Sequence, residues 1–103
     1  MLNRKAREND TETFMVDEAA KMGGIAIKIR FVAKVGAPDR LVILPGLLRA
    51  NIGFAELKHP MGSGRTSPQQ SYWHKLLKGL GVFVEVVATR PQVLSFLERL
   101  SKL

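Results

Sequence analysis

Apolar positions along this chain change period several times, and each change predicts an element. From Asn9 to about Met22, Glu12, Met15, Val16, Ala19 and Met22 fall on one stripe at helical spacing. Asn9 with Glu12 three residues on reads as a capping box, and Gly23-Gly24 stops the helix. The stretch "IAIKIRFV" then alternates Ile25, Ile27, Ile29 and Phe31 with Ala26, Lys28 and Arg30, the period of a half-buried strand. "RLVIL" and "IGFAELK" predict a second and third strand around a Pro45-Gly46 turn region. "HPMGSGRT" reads as a flexible loop. Ser67 and Pro68 open a second helix running to about Leu80, Gly81 ends it, and "VFVEVV" is a fourth strand. Thr89 and Pro91 open the last helix, with Val93, Phe96, Leu97 and Leu100 as its apolar stripe. The order is α-β-β-β-α-β-α in a single domain covering 1–103, preceded by a basic, frayed arm over residues 1–8 with Arg4, Lys5 and Arg7.

Composition narrows the function. A chain of 103 residues, 46% hydrophobic and 24% charged, is one small globular domain with a modest core. Cysteine is absent, which excludes a disulfide framework and thiolate chemistry and suits a reducing cytoplasm. No apolar run approaches the ~20 residues of a membrane span, and the first residues are too polar for a signal peptide. Sixteen Lys and Arg against nine acids leave +7, a balance that favours a polyanion such as nucleic acid, although basic surfaces also simply confer solubility.

Against that charge, two acids stand at the ends of the apolar hairpin. If the second and third strands pair antiparallel about Leu47 and Leu48, Asp39 falls opposite Glu56. Opposed residues have Cβ atoms roughly 4.5–5.5 Å apart, so two carboxylates there repel unless a cation lies between them. Oxygen ligands without Cys or paired His favour Mg²⁺ or Mn²⁺ over Zn²⁺. Alternation puts Lys58 on the face of Glu56, about 7 Å along the strand, where it could hold or activate a water. Taken singly, Glu56 and Lys58 could equally be an exposed strand end, and Asp39 a turn acid.

The ordered set "GAPDR", "ELK" and "SPQQ", with a glutamate-bearing first helix ending in "GG" and Lys28 shortly after, resembles the VRR-NUC domain. This is the virus-type replication-repair nuclease of the PD-(D/E)XK superfamily, and the resemblance covers residues 8 to 97. It implies an α/β, restriction-endonuclease-like core: a mixed four-stranded sheet flanked by helices. It also implies metal-dependent hydrolysis of DNA phosphodiesters. By position, Asp39 and Glu56 take the places of the family's acids and Lys58 that of its catalytic lysine. The Leu57 carbonyl would be a further metal ligand, and Gln70 matches the glutamine that opens the following helix. Glu12, with Glu8 second, matches the first-helix acid. The interval from Asp39 to Glu56 is slightly longer than the family pattern, which the hairpin turn can absorb. Stand-alone viral members look like dimeric resolvases, so the resemblance implies a homodimer that cleaves branched DNA in the cytoplasm of a bacterial host, as a phage or prophage protein.

Several residues keep two readings. Gln70 completes a capping box with Ser67, and both roles can hold together. Arg40 could bond a DNA phosphate or pair with a nearby acid. Lys28, His59 and Arg65 are further candidates for DNA, yet each could be plain surface. Tyr72 and Trp73 could stack on bases, or pack against the sheet or a second subunit. Glu85, inside an apolar strand, could pair with a basic neighbour, line an interface or sit on an exposed face.

Overall fold

The computed structural model describes residues 4–58 and 67–103, with side chains from Asp10 onward. The elements follow the expected order: α1 (Arg4–Lys21), β1 (Ile25–Lys28), β2 (Arg40–Leu44), β3 (Asn51–Leu57), α2 (Pro68–Gly79), β4 (Phe83–Val87) and α3 (Arg90–Ser101). The strands form one sheet in the order β1-β2-β3-β4. β1–β2 and β2–β3 are antiparallel, and β3–β4 is parallel, with α2 as the crossover. This is the mixed four-stranded sheet flanked by helices that the sequence leads one to expect.

The helix ends are set by local chemistry. Gly23, at φ 84°, closes α1: its N–H bonds the Ala20 carbonyl and that of Gly24 bonds Ala19, both at 2.9 Å. That is the left-handed glycine cap which satisfies the last carbonyls. Ser67 and Thr89 open α2 and α3 with capping boxes completed by Gln70 and Gln92.

The core lies between the sheet and the α1/α3 layer. Met15 and Ala19 from α1 and Val93, Phe96, Leu97 and Leu100 from α3 meet Val42, Leu44, Ala55 and Val87 of the strands. The α3 stripe is as read from the sequence. Asn51 ties the start of β3 to the end of α3 through its side-chain amide, which donates to the Leu100 carbonyl at 3.1 Å.

Three expectations are corrected. First, α1 begins at Arg4, so residues 4–8 belong to the helix, and Asn9 and Glu12 lie within it rather than at a cap. The run "RKARE" consists of good helix formers that carry no apolar period. Residues 1–3 of the expected arm lie outside the described residues. Second, the inward stripe of α1 is Thr11, Met15 and Ala19, while Val16 and Met22 are exposed. Third, β1 is shorter than its alternation predicts and turns its other side inward. Ala26 is 6% exposed under α1, whereas Ile25 and Ile27 are 51% and 43% exposed. As an edge strand, β1 has only one face covered by a helix, so alternation marks two faces without telling which is inside.

Candidate active site

The register of the hairpin decides which residues meet. Arg40 pairs with Ala55 and Leu41 with Phe54, so one further step brings Asp39 across from Glu56. Contact between the segments is direct: the Leu57 N–H donates to Asp39 Oδ1 at 3.3 Å. On the other side, Glu56 pairs with Val86 of β4, and the Lys58 N–H extends the parallel ladder to the Val87 carbonyl at 2.9 Å. Asp39, Glu56 and Lys58 therefore collect at one end of the sheet, on the face that α2 covers.

Gln70 knits them together. Its Oε1 accepts from Lys58 Nζ at 2.6 Å and from the Ser67 N–H at 3.1 Å, while Nε2 donates to Glu56 Oε2 at 3.0 Å. The Ser67 hydroxyl in turn accepts from the Gln70 N–H at 3.1 Å. Capping the helix and bridging the site are thus done by one side chain at once, because the first turn of α2 sits directly over the end of β3.

Electrostatics mark the same spot. Glu56 is 8% exposed, and its Oε1 has no hydrogen-bond partner among the described residues. Burial first, then the charge of Asp39, pushes its carboxyl up to about 7, against the pull of Lys58 and Gln70. Asp39 is also raised, by burial before all else, while the Leu57 N–H opposes the rise. Two converging carboxylates, one carrying a buried unpartnered oxygen, form a hard-oxygen donor pair suited to Mg²⁺ or Mn²⁺. No group of three or more His, Cys, Asp or Glu that could hold a metal is assembled among the described residues.

The remaining candidates divide. Glu12 does not complete a three-acid cluster. Its Oε2 accepts from Arg40 Nη2 at 2.7 Å, although its charge is close enough to raise Asp39. Arg40 pairs with this acid, and its side chain is largely buried between β2 and α1 and also donates to the Ala26 carbonyl at 3.4 Å. Lys28 is exposed and pairs in register with Arg40, which puts it on the opposite face of the sheet from Glu56 and Lys58. His59 and Arg65 lie outside the described residues, as does the side chain of Glu8. Trp73 packs on Phe31 at 6.1 Å between ring centroids, while Tyr72 stays exposed. Glu85 finds its partner in Arg99 of α3, at 3.3 Å.

His74 lacks metal-ligand spacing in the sequence, yet the fold brings it close to the site. One turn beyond Gln70 on α2, it is buried with Nε2 unpartnered among the described residues. Burial, aided by Lys78 and Lys58, holds its pKa below the ordinary value. Its four-residue spacing from Gln70 is the only signal that could have found it.

Comparison with known proteins bears on this arrangement. No protein-family model matches the chain. A solved structure described as a VRR_NUC domain superposes with a TM-score of 0.77 at 29% identity, covering 89% of this chain and 95% of that one. A protein of Acyrthosiphon pisum secondary endosymbiont phage 1, named "Putative nuclease p44", is 40% identical over 78 residues, 76% of this chain and 78% of its own. The chain belongs to the VRR-NUC nuclease family. The residues that carry the resemblance, Asp39, Glu56, Lys58 and Gln70, are the ones that the fold gathers at the end of β3.

Proposed function

We propose that this protein is a magnesium-dependent endonuclease that cuts branched DNA, acting as a homodimeric resolvase of four-way (Holliday) junctions. The observation that carries the reading is Gln70 bridging Lys58 and Glu56 beside Asp39. A surface strand end has no need of a cap residue that orients a lysine and a buried acid together.

In this reading Asp39, Glu56 and the Leu57 carbonyl would hold the ion. Bound there, magnesium would supply charge neutralisation at the phosphate and a more acidic water. Lys58, whose Nζ donates to Gln70, positions the attacking water and stabilises charge as it develops. Gln70 fixes the Lys58 ammonium and the Glu56 carboxylate so that neither must be ordered during the reaction. Glu12 acts at one remove, through Arg40, which follows Asp39 in the chain. The net charge of +7 supports binding to the DNA backbone.

One chain offers one such site, and resolving a junction takes two cuts, most simply from a two-fold dimer. The uncovered end of the sheet supports such an assembly. Ile25 and Ile52, both neighbours of Ile43 in the ladder, are exposed, as are Leu47 and Leu48 at the hairpin tip. The phage origin of the relative supports action in the cytoplasm of a bacterial host. Among the described residues no helix is long and apolar enough to cross a membrane.

The test is cleavage of a labelled four-way junction, a flap and a linear duplex at equal salt, with Mg²⁺ or EDTA, by the wild type and Lys58→Ala. Paired, metal-dependent cuts at the junction that vanish in the variant are expected. Equal cutting of the flap or duplex would make the protein a general nicking enzyme. Tight binding without any cut would make it a basic DNA-binding module.

A further inference from the structure

The segment between β1 and β2 ends at Asp39, the first acid of the site, and its shape is unusual for its composition. It folds as two successive turns, closed by the Lys34 N–H to the Phe31 carbonyl at 3.2 Å and the Ala37 N–H to the Lys34 carbonyl at 3.3 Å. In each turn the third residue has positive φ, 58° at Ala33 and 89° at Gly36. The second residue is in both cases a valine. That position usually takes proline or a polar residue, yet Val32 is 84% and Val35 74% exposed. Exposed Arg30 and Lys34 alternate with them, and neither forms an ion pair among the described residues.

This tip is firmly mounted. Phe31 packs edge-on against Phe54 of β3 at 5.9 Å and against Trp73 of α2 at 6.1 Å. Pro38 is buried, and Gly36 lies so close to α2 that a Cβ there would stand 2.6 Å from Gln69 Cβ and 2.7 Å from the Gln70 nitrogen. The loop is thus fixed to the same helix turn that holds Lys58 and Glu56. A cavity of about 280 Å³ runs along it from Ile29 to Asp39.

We infer that this loop engages the branch point of the DNA: Arg30 and Lys34 grip phosphates while Val32 and Val35 pack against a base that the branch leaves unstacked. The inference rests on the nuclease reading of the adjacent site and names the element that selects its substrate. An unstacked base offers an apolar face, and a tip already rigid loses little entropy on covering it. The flanking cations fit phosphates on either side of that base. A second copy of the chain is a poorer occupant, because a two-fold axis through the tip would bring Arg30 and Lys34 against their own equivalents.

The test uses a four-way junction with 2-aminopurine at the branch, titrated with protein in EDTA, beside an equally long linear duplex. Wild-type protein is expected to raise the fluorescence on binding. Val32→Ser/Val35→Ser should abolish that rise and weaken junction binding about tenfold, while leaving duplex binding nearly unchanged. Arg30→Gln/Lys34→Gln should weaken both DNAs and lower the salt slope by roughly 2. Variants that keep both the fluorescence rise and wild-type affinity overturn the inference. So does a serine variant whose only change is a lower oligomeric state in light scattering. A parallel Mg²⁺ arm reads cleavage separately: an intact fluorescence response without cutting sinks the nuclease reading and leaves the loop assignment standing.

Discussion

Among the described residues Lys58 and Glu56 form no direct ion pair, yet one side chain joins them: Gln70 accepts from Lys58 Nζ at 2.6 Å and donates to Glu56 Oε2 at 3.0 Å. Because Gln70 is also the N3 residue of a capping box, its two roles must be separated experimentally. Ser67→Ala removes the helix cap and should cost about 1 kcal/mol of stability with cleavage kept within a few-fold. Gln70→Ala should cost a similar amount of stability but lower kcat about a hundredfold, the scale seen when one preorganised polar group is lost. Thermal melts and single-turnover junction cleavage on both variants check this. Equal loss of activity in the two would reduce Gln70 to a cap.

The raised carboxyl of Glu56 sets a pH dependence of the metal-free protein. Its folded pKa of about 7 lies above the ordinary 4.5, so folding favours the protonated form. That contribution is fully present below the ordinary value and is lost as pH rises through about 7; Asp39, also raised, acts with the same sign. In EDTA the melting temperature contributed by this pair should therefore fall between mildly acid and neutral pH. Glu56→Gln should flatten that fall and make the metal-free protein more stable at pH 8. Water at the mouth of the site screens the group, so about 1 kcal/mol is expected, or roughly 4–8 °C in a domain of this size. The variant should also lose the stabilisation that saturating Mg²⁺ gives the wild type, which at a hundred times Kd amounts to about 2.7 kcal/mol.

The meeting of Asp39 with Glu56 can be read from the chain because hairpin pairing is symmetric about its turn. Once the turn lies at Leu47-Leu48, every opposition follows. Gln70 is legible for a similar reason: Ser-Pro marks the helix start, and the start lies over the end of β3. What the sequence hides are contacts between elements that its spacing does not relate. Nothing in the period of α1 says that Glu12 faces Arg40, or in that of β4 that Glu85 reaches Arg99 of α3. The buried side of β1 is equally hidden, because an edge strand with Ile on one side and Ala on the other follows the helix that covers it, not its own hydrophobicity. The first turn of the tip hides inside the alternation of "IAIKIRFV", since Val32 and Ala33 lack the Gly-Asn-Pro composition that announces turns, whereas Gly36 marks the second.

The Glu12–Arg40 pair provides the next prediction. The Arg40 side chain is 11% exposed and that of Glu12 26%, so removing one partner strands the other in a mostly dry place. Arg40→Ala should destabilise the fold by about 3 kcal/mol. Replacing both by apolar residues, Glu12→Leu with Arg40→Met, should recover most of that loss. If Glu12 acts only through Arg40, the double variant keeps the Mg²⁺ affinity of the wild type in a calorimetric titration. A tenfold or larger loss of affinity would return Glu12 to the donor set.

The uncovered face of β1 and β3 carries the last prediction. Ile25 and Ile52 flank Ile43 across the sheet, and each is 51% exposed, so a single chain spends its most strand-favouring residues on solvent. A lysine at either position meets water in the monomer and should leave the melting temperature of a dilute sample within a few degrees of wild type. In a two-fold dimer across this face, each substitution would appear twice near the axis and bring like charges together. Light scattering at micromolar concentration should then show a dimer for wild type and a monomer for Ile25→Lys/Ile52→Lys. The coupled readout is the cutting pattern. With Asp39, Glu56 and Lys58 untouched, the monomeric variant should still nick junctions singly, having lost the concerted pair of cuts. A wild type that is monomeric and fully active would remove the dimer, and with it the reason for leaving this face bare.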